Sequence, residues 1–145
     1  MPVIIDQRDI VFRSIEADIM VGNSDEKSEM VEGAIGEMSA FHNTFCYYAQ
    51  AVDSSTSVLP NSRKDRVVKV CNEKTHSITG LCLEIHDLMI SKLYAGREKD
   101  LKFFNAAVSL NVISKETLIE RLNLTEISDR KRHTTEDPIN RGFSK

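Results

Sequence analysis

The spacing of apolar residues divides this sequence into two parts. In residues 13–21 apolar and polar side chains alternate, which predicts a half-buried strand with Ala17 and Ile19 on its buried face. From His86 onward apolar residues recur every three or four positions, as they do in amphipathic helices. Strands followed by a helical C-terminal half predict an α+β fold with a small mixed or antiparallel sheet.

Local signals place the other elements of the first half. Ser24 or Asp25 can cap a helix whose apolar residues, from Met30 to Met38, fall at helical spacing. Residues 45–52 begin with aromatic residues and predict a second strand. Two β-branched segments separated by a polar turn predict a hairpin within residues 66–83.

The composition predicts one domain and excludes several classes of protein. A chain of 145 residues can bury a core without disulfides or a structural metal. The net charge of −3 argues against a surface that coats nucleic acid. No apolar stretch is long enough to span a membrane, and the N-terminus does not resemble a signal peptide. Three cysteines without a C-x-x-C pair indicate a reducing compartment, so a cytoplasmic protein is predicted.

The C-terminal end has a different composition from the rest of the chain. Residues 1–122 are predicted to form the domain, and residues 123–145 a polar tail. The tail has few large apolar residues and contains Pro138 and Gly142, so it is predicted to be loosely ordered.

The most informative short motif is Glu16-Ala17-Asp18 on the first predicted strand. Residues i and i+2 of a strand point to the same face, about 6.6 Å apart, so both carboxylates would emerge together. Two such carboxylates can converge on Mg²⁺, which binds a few protein oxygens together with water and substrate phosphates. The alternative is that the two acids only solvate the exposed face of the strand.

A second charged segment runs from Lys92 to Asp100. On a continuous helix Lys92 and Lys99 would share a face, and a lysine near a bound metal is a natural phosphate ligand. A solvated, salt-bridged helix surface is the alternative, and Gly96 can end the helix between the two lysines. Just before this segment, Asp87 is predicted to act as a cap or first-turn acid, and His86 to pack or cap.

Several segments taken together resemble a known family. The similarity rests on residues 13–18, 36–42 and 45–48, and above all on Leu81-Cys82-Leu83-Glu84-Ile85-His86-Asp87-Leu88-Met89-Ile90-Ser91-Lys92-Leu93 followed by Ala95-Gly96-Arg97-Glu98-Lys99-Asp100. The chain is similar to nucleotidyltransferase-like proteins of unknown function, distant relatives of the AbiEii toxins within the DNA-polymerase-beta-like superfamily.

The resemblance implies a nucleotidyltransferase-like fold and a set of functional residues. Glu16 and Asp18 match the carboxylate pair that binds Mg²⁺ and the nucleoside triphosphate, with Glu in place of the first Asp. Lys92 matches a phosphate-binding lysine, and Arg97, Lys99 and Asp100 match the final polar motif. The implied catalytic set is Glu16, Asp18, Lys92 and Asp100; the implied nucleotide-binding set is Lys92, Arg97 and Lys99.

One departure from the family pattern leaves two functions open. Active members carry a glycine turn upstream of the carboxylates, and Met1 to Phe12 contain no glycine. We therefore expect either a truncated chain or a fold without a working phosphate cradle. The first function is Mg²⁺-dependent transfer of a nucleotidyl group to an RNA or protein acceptor. The alternative is a catalytically degenerate interaction module, such as a toxin–antitoxin component that binds the product of a neighbouring gene.

Overall fold

The computed structural model of the protein describes residues 16–21, 24–53 and 57–144. The chain divides into two compact units, Met1–Ser57 and Val58–Lys145. The described residues form short strands and a larger share of helix, with the helices concentrated in the C-terminal half, which confirms the predicted α+β class.

The described residues of the first unit form two strands and two helices. Strand β1 (Glu16–Ile19) pairs in parallel with β2 (Tyr48–Ala51). Helices α1 (Asp25–Ile35) and α2 (Ala40–Phe45) lie between them in sequence. The predicted second strand therefore begins later than expected, because Phe45 ends α2.

Helix α1 begins where the sequence indicates. The Ser24 hydroxyl accepts a hydrogen bond from the Lys27 N–H (3.3 Å), and two acidic residues in the first turn interact favourably with the helix dipole. The predicted apolar stripe is not buried: Met30 is 67% exposed, and Met38 lies beyond the end of the helix at Gly36.

The burial predicted for β1 is also wrong in part. Ala17 is exposed rather than buried. Helix α1 packs on β2, where the Glu32 carboxylate accepts a hydrogen bond from the Ala51 N–H (2.8 Å). The buried residue of this two-stranded sheet is Ala49 on β2, at 5% exposure.

The second unit opens with the predicted hairpin. Strands β3 (Val68–Val70) and β4 (Gly80–Cys82) pair antiparallel. The connection contains a 3₁₀ turn, Glu73–Thr75, and the Asn72 side chain caps it by accepting hydrogen bonds from two backbone N–H groups. The polar turn predicted from the sequence is therefore stabilised by local side-chain capping.

Four helices form the core of the second unit. They are α3 (Ile85–Ala95), α4 (Glu98–Ser109), α5 (Lys115–Asn123) and α6 (Asp129–Gly142). Their inward faces bury a common set of large side chains, namely Met89, Ile90, Phe104, Leu118, Leu122 and Ile139. None of the helices within the described residues is long and apolar enough to cross a membrane.

The prediction of a loosely ordered tail is wrong. Residues 129–142 form α6, which packs against α3, α4 and α5. Thr135 and Ile139 lie one turn apart on its inner face and are 1% and 0% exposed. Because most of this helix is polar, its two inward positions give only a weak signal in the sequence.

Candidate functional site

The paired carboxylates of β1 lie on one polar face of the first unit. Glu16 is half-buried and Asp18 is exposed. The register aligns Glu16 with Tyr48 and Asp18 with Gln50, so all four side chains share a face of the two strands. Ala17, Ile19, Ala49 and Ala51 lie on the other face of these paired residues. The structure therefore separates a carboxylate face from an apolar face, as the alternation in the sequence predicts.

Tyr48 completes this polar face. Its pKa is raised by partial burial, then by the negative charges of Glu16 and Glu37, by a hydrogen bond with the Glu16 carboxylate and by the charge of Asp18. The His42 ring contacts the Tyr48 ring at a centroid distance of 4.7 Å. Tyr48 and Glu37 were not predicted as site residues, because the proximity of Tyr48 to Glu16 depends on strand pairing, and that of Glu37 to Tyr48 depends on the turn before α2.

The donor set of this face limits the kind of metal it could hold. No group of three His, Cys, Asp or Glu side chains within the described residues could hold a metal ion. Two carboxylates on neighbouring positions of one face instead fit Mg²⁺ that is also bound by water and substrate phosphates. Within the described residues, Glu16 and Asp18 therefore supply two carboxylate donors and do not belong to a group of three or more such side chains.

In the second unit the structure brings Lys92, Arg97 and Asp100 together. Asp100 is 1% exposed, and its carboxylate lies 2.7 Å from the Arg97 Nε and 3.9 Å from the Lys92 Nζ. The Arg97 backbone N–H also donates to this carboxylate (3.2 Å). Asp100 therefore fixes the start of α4 and holds two cationic side chains, while its burial keeps the carboxylate away from solvent.

The predicted shared face of Lys92 and Lys99 is wrong. Gly96 adopts a left-handed conformation (φ 64°) and ends α3, so the two lysines lie on different helices. Lys92 is half-buried, with its ammonium 4.9 Å from the centroid of the Phe103 ring. Lys99 is exposed in the first turn of α4.

A second buried carboxylate, Asp87, organises the core of the same unit. It lies in the first turn of α3, as predicted, but Glu84 is the N-cap. The Arg66 guanidinium donates to both Asp87 oxygens at 2.9 Å, and the Arg121 Nε lies 3.4 Å away. The hydrogen bond to Asp87 raises the pKa of Arg66. These contacts assign Asp87 a structural role rather than a chemical one.

His86 connects the starts of two helices, in keeping with its predicted packing role. Its Nδ1 lies 2.6 Å from the Glu84 carboxylate, and its Nε2 accepts a hydrogen bond from the Ser114 N–H (3.0 Å). Burial tends to raise the pKa of Glu84, but the hydrogen bonds with His86 outweigh it, so the net pKa is lowered.

The lowered pKa of Glu84 predicts a pH-dependent contribution to stability. Its ionised form is favoured in the folded state, so the contribution is present above the ordinary glutamate pKa and is lost as the pH falls through the lowered value. Glu84→Gln should therefore reduce the free energy of unfolding at pH 7 and make it fall less steeply in acid. Urea denaturation from pH 7 to pH 3 measures this, with the exposed Glu116→Gln as control. If the free energy of unfolding falls equally steeply with pH in the wild type and in Glu84→Gln, this prediction is wrong.

Comparison with known proteins assigns a class to this chain. A strand with paired carboxylates and a later Lys–Arg–Asp cluster is the pattern that the sequence resemblance implies for nucleotidyltransferases. Residues 10–139 match the family described as "Nucleotidyltransferase of unknown function (DUF6036)", and the chain belongs to this family. No curated protein and no solved structure matches the chain significantly. The relationship to the AbiEii toxins stays a prediction.

Proposed function

We propose that this protein transfers a nucleotidyl group from a nucleoside triphosphate to a hydroxyl of an RNA or protein acceptor, with Mg²⁺ as cofactor. The observation that carries the proposal is the carboxylate face of β1, where Glu16 and Asp18 lie side by side in a member of a nucleotidyltransferase family. Its donor set suits a cation that is also bound by triphosphate oxygens.

Each residue then has a defined task. Glu16 and Asp18 bind the cation, and the hydrogen bond with Tyr48 orients Glu16. Bound Mg²⁺ would stabilise the negative charge that develops on the phosphate oxygens. For Lys92, Arg97 and Lys99 of the second unit, the family resemblance implies a phosphate-binding role.

Asp100 has a positioning role in this proposal. Because it is buried against Lys92 and Arg97, it holds their side chains and does not contact the nucleotide.

The reaction is a displacement at the α-phosphorus. The acceptor oxygen forms a bond to this atom as the bond to the bridging oxygen of the β-phosphate breaks. Pyrophosphate leaves, and the acceptor proton passes to water. The protein contributes mainly by positioning the charged groups and by stabilising charge.

Isothermal titration tests the first requirement of the proposal. Each of the four ribonucleoside triphosphates is added to the full chain with Mg²⁺ and, separately, with EDTA. We expect at least one nucleotide to bind with Mg²⁺ and to bind much more weakly with EDTA. The absence of binding to every nucleotide at millimolar concentration would overturn the proposal.

A catalytically degenerate interaction module is the second candidate. This candidate is favoured because Asp87 and Asp100, which both lie in the segment that most resembles the family, are buried in ion pairs. Their carboxylates therefore stabilise the fold. In this case no nucleotide binds in the titration. The protein then forms a stable complex with the product of the neighbouring gene when the two are co-expressed.

A further inference from the structure

Both strands of the β3–β4 hairpin are exposed. All six strand residues are exposed, including Val68 (50%) and Leu81 (65%), and Ile78 beside β4 is 71% exposed. Within the described part of the chain, β3 and β4 pair only with each other. A two-stranded ribbon is marginally stable in water unless another strand or a helix packs on it. This hairpin therefore has the properties of an incomplete sheet.

The register gives the hairpin one apolar face. Val68 is aligned with Cys82 and Val70 with Gly80, so these four residues share a face. Lys69 and Leu81 are aligned on the opposite face. An additional strand would extend the apolar face and cover part of the exposed side chains.

The two edges of the hairpin differ in charge. The β3 edge carries Lys69 in its centre and follows the basic turn Arg63–Arg66. The β4 segment from Ser77 to Leu83 has no charged residue and no proline. Lysine and proline are the usual means by which edge strands avoid pairing with other chains, and β4 has neither.

We propose that β4 pairs antiparallel with β4 of a second copy of this chain, forming a four-stranded sheet across a two-fold axis. A neutral strand is complementary to itself, whereas pairing of two β3 edges would bring two copies of Lys69 together. With the axis at Gly80, Ile78 of one copy lies opposite Cys82 of the other, and the apolar faces of both hairpins become continuous. The interface is isologous and therefore closes at a dimer.

Sedimentation equilibrium of the full chain tests this pairing. We expect the wild type to be a dimer at high micromolar concentration. Leu81→Lys adds like charges to both sides of the interface and should raise the dissociation constant by about tenfold or more. Ile78→Lys should act in the same direction. Met30→Lys is the matched control, because Met30 is 67% exposed but lies on α1.

Circular dichroism verifies that each variant is folded, and amide exchange locates the contact. We expect the amides of residues 78–82 to be protected in the dimer and to lose protection in Leu81→Lys. A monomeric wild type would overturn the proposal, as would a folded Leu81→Lys variant that dimerises as strongly as Met30→Lys.

Discussion

Replacing Asp87 by alanine should lower the free energy of unfolding by about 3–5 kcal/mol. The Asp87 carboxylate is fully buried, and it accepts hydrogen bonds from the Nε and the Nη2 of Arg66, each at 2.9 Å. The Arg66 and Arg121 side chains are 18% and 14% exposed, so both guanidinium groups would remain largely buried without their carboxylate. Urea denaturation at pH 7 measures the loss.

An exposed ion pair provides the control for this prediction. Asp137 lies 2.7 Å from Arg141 on α6 and is 50% exposed. Because water screens such pairs, Asp137→Ala should lower the free energy of unfolding by about 0.3–0.5 kcal/mol. A loss for Asp87→Ala as small as that for Asp137→Ala would contradict the structural role of Asp87.

Replacing Asp18 by asparagine should reduce nucleotidyl transfer by about a hundredfold or more. The substitution keeps the size of the side chain and removes the charge that is proposed to hold the cation. Transfer is measured with nucleoside triphosphates labelled at the α-phosphate, with total RNA and a protein extract as separate acceptors. Glu16→Gln should have a comparable effect.

The double variant distinguishes one shared cation from two independent roles. If Glu16 and Asp18 hold the same cation, Glu16→Gln with Asp18→Asn should lose little more activity than either change alone. Asp25→Asn, an exposed acid of α1, serves as the control and should retain wild-type transfer. The proposed site would be contradicted if the double variant lost as much transfer activity as the two single losses combined. Equal activity of Asp18→Asn and Asp25→Asn would also contradict it.

Local patterns in the sequence predicted much of the fold. The Ser24 cap, the hairpin and the end of α3 at Gly96 depend on short-range hydrogen bonds and on one left-handed glycine. The carboxylate face of β1 depends only on the period of a strand. These features are visible in the sequence because their causes lie within a few residues.

The features that the sequence did not predict depend on distant contacts. Asp87 meets Arg66 across 21 positions, and no local pattern distinguishes such a buried acid from an ordinary first-turn acid. Helix α6 is polar at most positions, and its place in the core depends on Thr135 and Ile139 meeting the other helices. The exposure of Ala17 likewise depends on which strand α1 covers.

In the proposed function, Glu16 and Asp18 together bind one divalent cation. Electron paramagnetic resonance of Mn²⁺, used in place of Mg²⁺, tests it directly on the full chain with a bound nucleoside triphosphate. We expect one bound Mn²⁺ per chain in the wild type and in Asp25→Asn, with much weaker binding in Asp18→Asn and Glu16→Gln. Equal Mn²⁺ binding by the wild type and both site variants would contradict it.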